Sequence, residues 1–161
     1  MSTLHRASAL FIFLTFLSPL PAKPPQVLAE SPIFADGDGL FLPVHFEGKR
    51  YLFVLDTGAA RTIYDWSFRA RLGDPLDSVP VETPKGYVPR STFQAPEATV
   101  GKMSLHTKQE RVFCADLEFA REVSGHQIMG MIGLDFLRQH CIRIDFDAGK
   151  LEFLNNSPIE G

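Results

Sequence analysis

The stretch YLFVLDTGAA, residues 51–60, decides how the rest of the chain is read. Tyr51 to Leu55 form a mostly apolar run of strand length, and a carboxylate, Asp56, follows it directly. Thr57, Gly58 and Ala59 then strip away side-chain bulk. A carboxylate at the end of an apolar strand is costly to desolvate unless donors surround it. Thr57 supplies a hydroxyl, and Gly58 lets the backbone approach closely and offer an N–H. Backbone N–H donors favour the ionised form, which makes Asp56 a candidate general base or electrostatic element. Asp-Thr-Gly is also good turn chemistry after any strand, and the tripeptide alone reads first as a turn.

Working outward, LFLPVHF (40–46), EGKR (47–50) and YLFVL (51–55) predict a hairpin turning at Gly48. In RTIYDWSFRARLG (61–73), Ile63, Trp66, Ala70 and Leu72 recur at roughly helical spacing and Gly73 is a stop, which predicts a short helix. VPVETPKGYVPRSTF (79–93) reads as two strands around Pro84-Lys85-Gly86, and EATVGKMSLH (97–106) with ERVFCADLEF (110–119) as a further strand pair. AREVSGHQ (120–127) reads as a polar loop. IMGMIG (128–133) is a buried-looking run with two glycines, LDFLRQH (134–140) a helical turn or two, and CIRIDFD (141–147) with LEFL (151–154) a hairpin across DAGK.

The 161 residues suffice for one domain with its own core and hardly for two. Fourteen Phe and twelve Pro favour short punctuated strands, so the expected class is all-β. Charge is near balance and no Lys/Arg block stands out, which argues against nucleic acid or an anionic membrane surface as partner.

The context of Asp56 changes its reading. IMGMIGLDFL repeats the logic of apolar strand, glycine and short helix. FVLDTGA followed by GMIGLDFL and IRIDFDAGKLEF resembles the single-domain, retropepsin-like aspartic proteases, especially the exported or membrane-associated bacterial members, over about residues 36–154. The pair of motifs in this order, with the closing hairpin, is more specific than either alone. The resemblance implies a retropepsin-like closed barrel lobe with one or two short helices. It implies Asp56 as the catalytic aspartate, with Thr57, Gly58 and Ala59 supporting the loop. Thr57 would bond across to a partner chain. Met131, Ile132 and Gly133 match the hydrophobic-hydrophobic-Gly element that packs beneath the catalytic loop. No metal or organic cofactor is implied.

Aspartic proteolysis uses two aspartates sharing one proton, one activating a water and the other polarising the scissile carbonyl. This chain carries one Asp-Thr-Gly, so the second Asp56 is expected from another copy in a two-fold homodimer acting on a polypeptide. Asp135 lacks a following Thr-Gly and sits where a helix start favours an acid, which suits a structural role. Two-lobed relatives of the pepsin type often carry a hydroxyl residue where Ala59 stands. Without that donor, an activity optimum less acidic than pepsin's is expected. A flap over the substrate is best placed at Val81–Phe93, with Lys85, Gly86 and Tyr87 at its tip. An ordinary surface hairpin is the alternative. A non-catalytic peptide-binding or scaffolding domain of the same fold is the competing function.

The first thirty residues differ from the rest. His5 and Arg6 precede an apolar run from Ala9 to Leu17, and no acid occurs before Glu30, the pattern of a secretory signal. The run is short for a bilayer span. Val27-Leu28-Ala29 suggests a cut after Ala29, giving a signal over 1–29 and a domain over 30–161. Ala22 is the weaker site, and an uncleaved anchor is the alternative. With Arg6 and Lys23 gone, 16 basic residues become 14 against 19 acidic ones, a net of −5. The expected product is exported, periplasmic or secreted, with no membrane span left after cleavage.

Export permits a disulfide between Cys114 and Cys141, and buried thiols are the commoner state for two strand cysteines. Their spacing fits no zinc pattern. DGDG (36–39) hints at a calcium loop, but Leu40 and Phe41 stand where a ligand and a glycine are needed. The histidines are scattered, although His126 lies close before IMGMIG.

Overall fold

The computed structural model describes residues 25–36, 39–83, 86–106 and 110–155. Strands β1 (Val27–Pro32) and β2 (Phe34–Asp36) lead into the hairpin of β3 (Gly39–Phe46) and β4 (Lys49–Leu55). That hairpin turns at Glu47 and Gly48, whose φ values are 48° and 72°. Two successive positive φ values give a turn whose twist matches the flanking strands, and glycine tolerates this best. The chain continues through β5 (Ile63–Asp65), β6 (Asp77–Thr83), β7 (Gly86–Gln94), β8 (Ala98–Val100), β9 (Met103–Ser104) and β10 (Arg111–Ala115). Helix α1 (Glu118–Ser124), β11 (Ile128–Ile132), helix α2 (Leu134–Leu137), β12 (Cys141–Asp145) and β13 (Lys150–Leu154) complete it. No helix among the described residues is long and apolar enough to cross a membrane.

The larger sheet runs β6-β7-β10-β5-β11-β4-β3-β8-β9, with β2 also on β3, and among the described residues this path does not return on itself. A second sheet, β1-β13-β12, joins the two ends of the described chain. At the middle of the larger sheet β11 lies parallel to β4 and antiparallel to β5. This parallel pair brings Ile132 opposite Leu55, so the residues after β11 meet those after β4. The apolar character of β4 follows from its two faces. Tyr51, Phe53 and Leu55 join the main core, while Leu52 and Val54 join a smaller cluster with Phe41, Leu117 and Ile128. The main core is aromatic: Tyr64 meets Phe53 and Phe68 edge-on, at 5.2 Å and 5.8 Å between ring centroids. Such pairs add roughly 0.5–1.5 kcal/mol each beyond the area they bury.

Four local expectations are corrected. Residues 63–65 form a strand followed by a 3-10 turn (Trp66–Phe68) instead of a helix. Ile63 and Tyr64 suit a strand held between β10 and β11, and Asp65 caps the turn by accepting the Ser67 N–H at 3.0 Å. The expected single strand over 97–106 is a hairpin of β8 and β9, because Gly101 at φ 56° reverses the chain. β10 then pairs with β7 and β5, not with that segment. The expected loop over 120–127 is largely α1, closed by Gly125 at φ 69°. Cys114 and Cys141 are free thiols. Burial, then the Asp65 charge, pushes the Cys114 thiol up to about 11.

Candidate active site

The turn after β4 is built by crossing hydrogen bonds from the segment after β11. The Asp56 N–H donates to Ile132 O at 3.0 Å, and the Leu134 N–H donates to Ala59 O at 2.8 Å. Thr62, fully buried, extends the lacing. Its N–H and hydroxyl both donate to Asp135 Oδ1 at 2.9 Å, and its Oγ1 accepts the Gly133 N–H at 3.3 Å. Asp135 Oδ1 also accepts the Phe136 N–H at 2.9 Å. Asp135, in the first turn of α2, is thus a brace between two loops.

Gly133 is where the loops come closest. A Cβ there would lie 2.5 Å from Arg61 C, 2.6 Å from Arg61 O and 2.9 Å from Ala59 O, all backbone. Ile132 belongs to the main core and Met131 packs against the cleft-side cluster.

The Asp56 carboxylate is half-buried, and its Oδ1 accepts the Gly58 N–H at 2.8 Å. A Cβ on Gly58 would stand 3.1 Å from that oxygen. Thr57, Gly58 and Ala60 are exposed, while Ala59 is partly covered. Asp56 opens into a cleft of about 600 Å3 whose walls include Phe41, Val54, Met131, Phe119 and Val123. Among the described residues lining it, Asp56 is the only ionisable one. His126 meets Phe41 at 4.6 Å between centroids with the rings tilted by 55°. The β6–β7 hairpin closes with Thr83 opposite Gly86, and Tyr87 near its tip is exposed. Lys85 lies outside the described residues.

Sequence reasoning did not anticipate α1 as a wall of this cleft. The signals were present: Phe119, Ala120 and Val123 share a helical face, and Gly125 is a left-handed stop. Behind the helix, Asp65 accepts from Arg121 Nη1 at 2.7 Å, from the Ser67 N–H at 3.0 Å and from the Leu117 N–H at 3.3 Å. Burial pushes the Asp65 carboxyl up, but these donors together outweigh it and hold it below the usual carboxylate range.

Residues 42–136 match the sequence profile of a family described as aspartyl protease. Among solved structures the chain is similar to a retropepsin-like aspartic protease from Rickettsia conorii, with 15% identity and a TM-score of 0.52. The match covers 82% of this chain and 96% of that one. At that identity the likeness establishes the fold, which is all-β and retropepsin-like. No curated protein matches the sequence.

Proposed function

The chain belongs to the aspartyl protease family, and from that premise we propose that it is a homodimeric aspartic endopeptidase whose site joins two copies of Asp56. The observation that carries this reading is the setting of Asp56. Among the described residues lining an open, mostly apolar cleft it is the one carboxylate, held by the Gly58 N–H, on a turn whose Thr57 and Gly58 are exposed in the single chain. An exposed, rigidly laced loop suits contact with an identical loop across a two-fold axis. There, Thr57 would be covered and the two acids would share a proton.

In the reaction, one Asp56 takes a proton from a bound water as the water oxygen attacks the scissile carbonyl carbon. The other, protonated, Asp56 donates to the carbonyl oxygen. Transfer of a proton to the amide nitrogen then lets the C–N bond break and releases a carboxyl and an amine product. The substrate lies extended, as a strand. The β6–β7 hairpin is the flap, a role supported by its place at the sheet edge and by the exposed Tyr87 and Val88. The N-terminal basic and apolar pattern supports export to the periplasm or beyond.

The test compares wild type with Asp56→Asn on a peptide library, with sedimentation of both. A dimer is expected, with turnover reduced by about 10²–10⁴-fold in the variant. Equal turnover by the two proteins would remove Asp56 from the mechanism. A folded dimer without turnover from acid to neutral pH would leave a peptide-binding domain.

A further inference from the structure

Helix α1 has a construction that its length alone does not explain. It has seven residues and buries none of them, and helices this short do not hold in isolation. Two of its apolar side chains, Phe119 and Val123, are 77% and 72% exposed. They lie one turn apart on the same face, and with Ala120 and Ser124 they line the cleft that holds Asp56.

Arg121 faces elsewhere. Its Nη1 donates to Asp65 Oδ2 at 2.7 Å and to Ile128 O at 3.2 Å, and its Nη2 lies 3.5 Å from Asp116 Oδ1. The two side chains are 23% and 6% exposed. One guanidinium therefore ties the helix to the end of β5, the start of β11 and the turn before the helix. The Leu117 N–H on the same Asp65 carboxylate, and the Glu118 N–H on Asp116 Oδ1 at 2.8 Å, fix the first turn. A planar fork makes several directed bonds at once, which a lysine ammonium reproduces only in part.

We infer that Arg121 is a positioning residue that, through Asp65, fixes α1 as the specificity-determining wall of the cleft, where Phe119 and Val123 receive a large apolar side chain flanking the scissile bond. This rests on the reading of Asp56 as the catalytic acid. The occupant follows from continuity. The exposed apolar face and the carboxylate share one concavity of about 600 Å3, within the range of small-ligand pockets. A strand-like substrate crossing Asp56 presents alternate side chains to such a wall.

The experiment measures kcat and KM on a pair of peptides differing only in Phe or Ala beside the cleaved bond. Wild type, Phe119→Ala/Val123→Ala, Arg121→Met and Arg121→Lys are compared. Wild type should prefer the Phe peptide by roughly 10–200-fold. The double variant should lose most of that preference. Arg121→Met should lose about tenfold of it, in KM rather than kcat, and Arg121→Lys should recover part. An unchanged preference in the double variant and in Arg121→Met overturns the inference. So does an equal fall in kcat for both peptides, or conversion to monomer with the preference intact, which would make α1 a subunit contact. Binding of the same peptides to Asp56→Asn separates the two readings. Discrimination there that depends on Phe119, Val123 and Arg121, with no turnover by wild type, leaves the wall standing and removes the protease.

Discussion

Gly133 shows how one position governs the site. Its missing Cβ leaves room for the backbone of Ala59 and Arg61, and rigid backbone cannot swing away as a side-chain tip can. Gly133→Ala should therefore destabilise the fold by about 1–3 kcal/mol through overpacking, measured by urea unfolding. The same substitution at Gly73, where a Cβ meets nothing within 4 Å, is the comparison for ordinary loss of a left-handed glycine. Gly73→Ala carries left-handed strain that Gly133, at φ −94°, lacks, so a Gly133→Ala effect under about 0.5 kcal/mol would show that the crossing is loose. At this scale much was legible in the sequence. An acid placed directly after an apolar strand, followed by small residues, already singled out Asp56, and IMGMIG already read as a buried run with two glycines. The Thr62–Asp135 brace was not legible, because its partners are 73 residues apart and nothing local in either segment names the other. Arg121 was hidden for the same reason, since its reach to Asp65 depends on two segments meeting in space.

Among the elements, periodicity succeeded where a strand had one clear face and failed where tertiary neighbours overrode it. The hairpins β3–β4, β6–β7 and β12–β13 carried turn residues between apolar runs. β5 has only three residues, and its neighbours 66–72 mimic a helical repeat, so only its place between β10 and β11 makes it a strand. The small sheet carries a charge ladder. Glu30, Glu152 and Arg143 face one another across β1, β13 and β12, and Lys150 Nζ reaches Glu152 Oε1 at 2.7 Å and Glu30 Oε1 at 3.1 Å. The Arg143 and then the Lys150 hydrogen bonds hold the Glu152 carboxyl down at about 2. A depressed folded-state value means the contribution is complete above the ordinary glutamate range, about 4.3, and fades as pH falls from there through about 2. The Tm difference between wild type and Glu152→Gln should be largest near neutral pH and shrink steadily below pH about 4. A difference independent of pH would remove the ion pairs from the explanation.

For the whole molecule, the decisive feature is that its first described strand closes on its last. Val27 and Ala29 pair with Leu154 and Phe153, Gln26 exchanges two hydrogen bonds with Asn155, and Ala29 is buried. A chain beginning at Glu30 would keep only half of β1. Compared with a chain beginning at Lys23, it should be less stable by about 1–3 kcal/mol, seen as a Tm lower by roughly 5 °C or more. Equal melting would show that Val27 to Ala29 contribute nothing. The apolar, small-residue run that suggests a peptidase site is, in the fold, half of a strand, and a local pattern cannot distinguish the two uses. The pairing also bears on timing. The sheet partner of β1 lies more than a hundred residues away, so a chain synthesised from its N-terminus cannot zip this sheet until its tail has emerged. Until then the leading segment has no strand to lock onto in that sheet, so joining the two ends is the last pairing the domain can make.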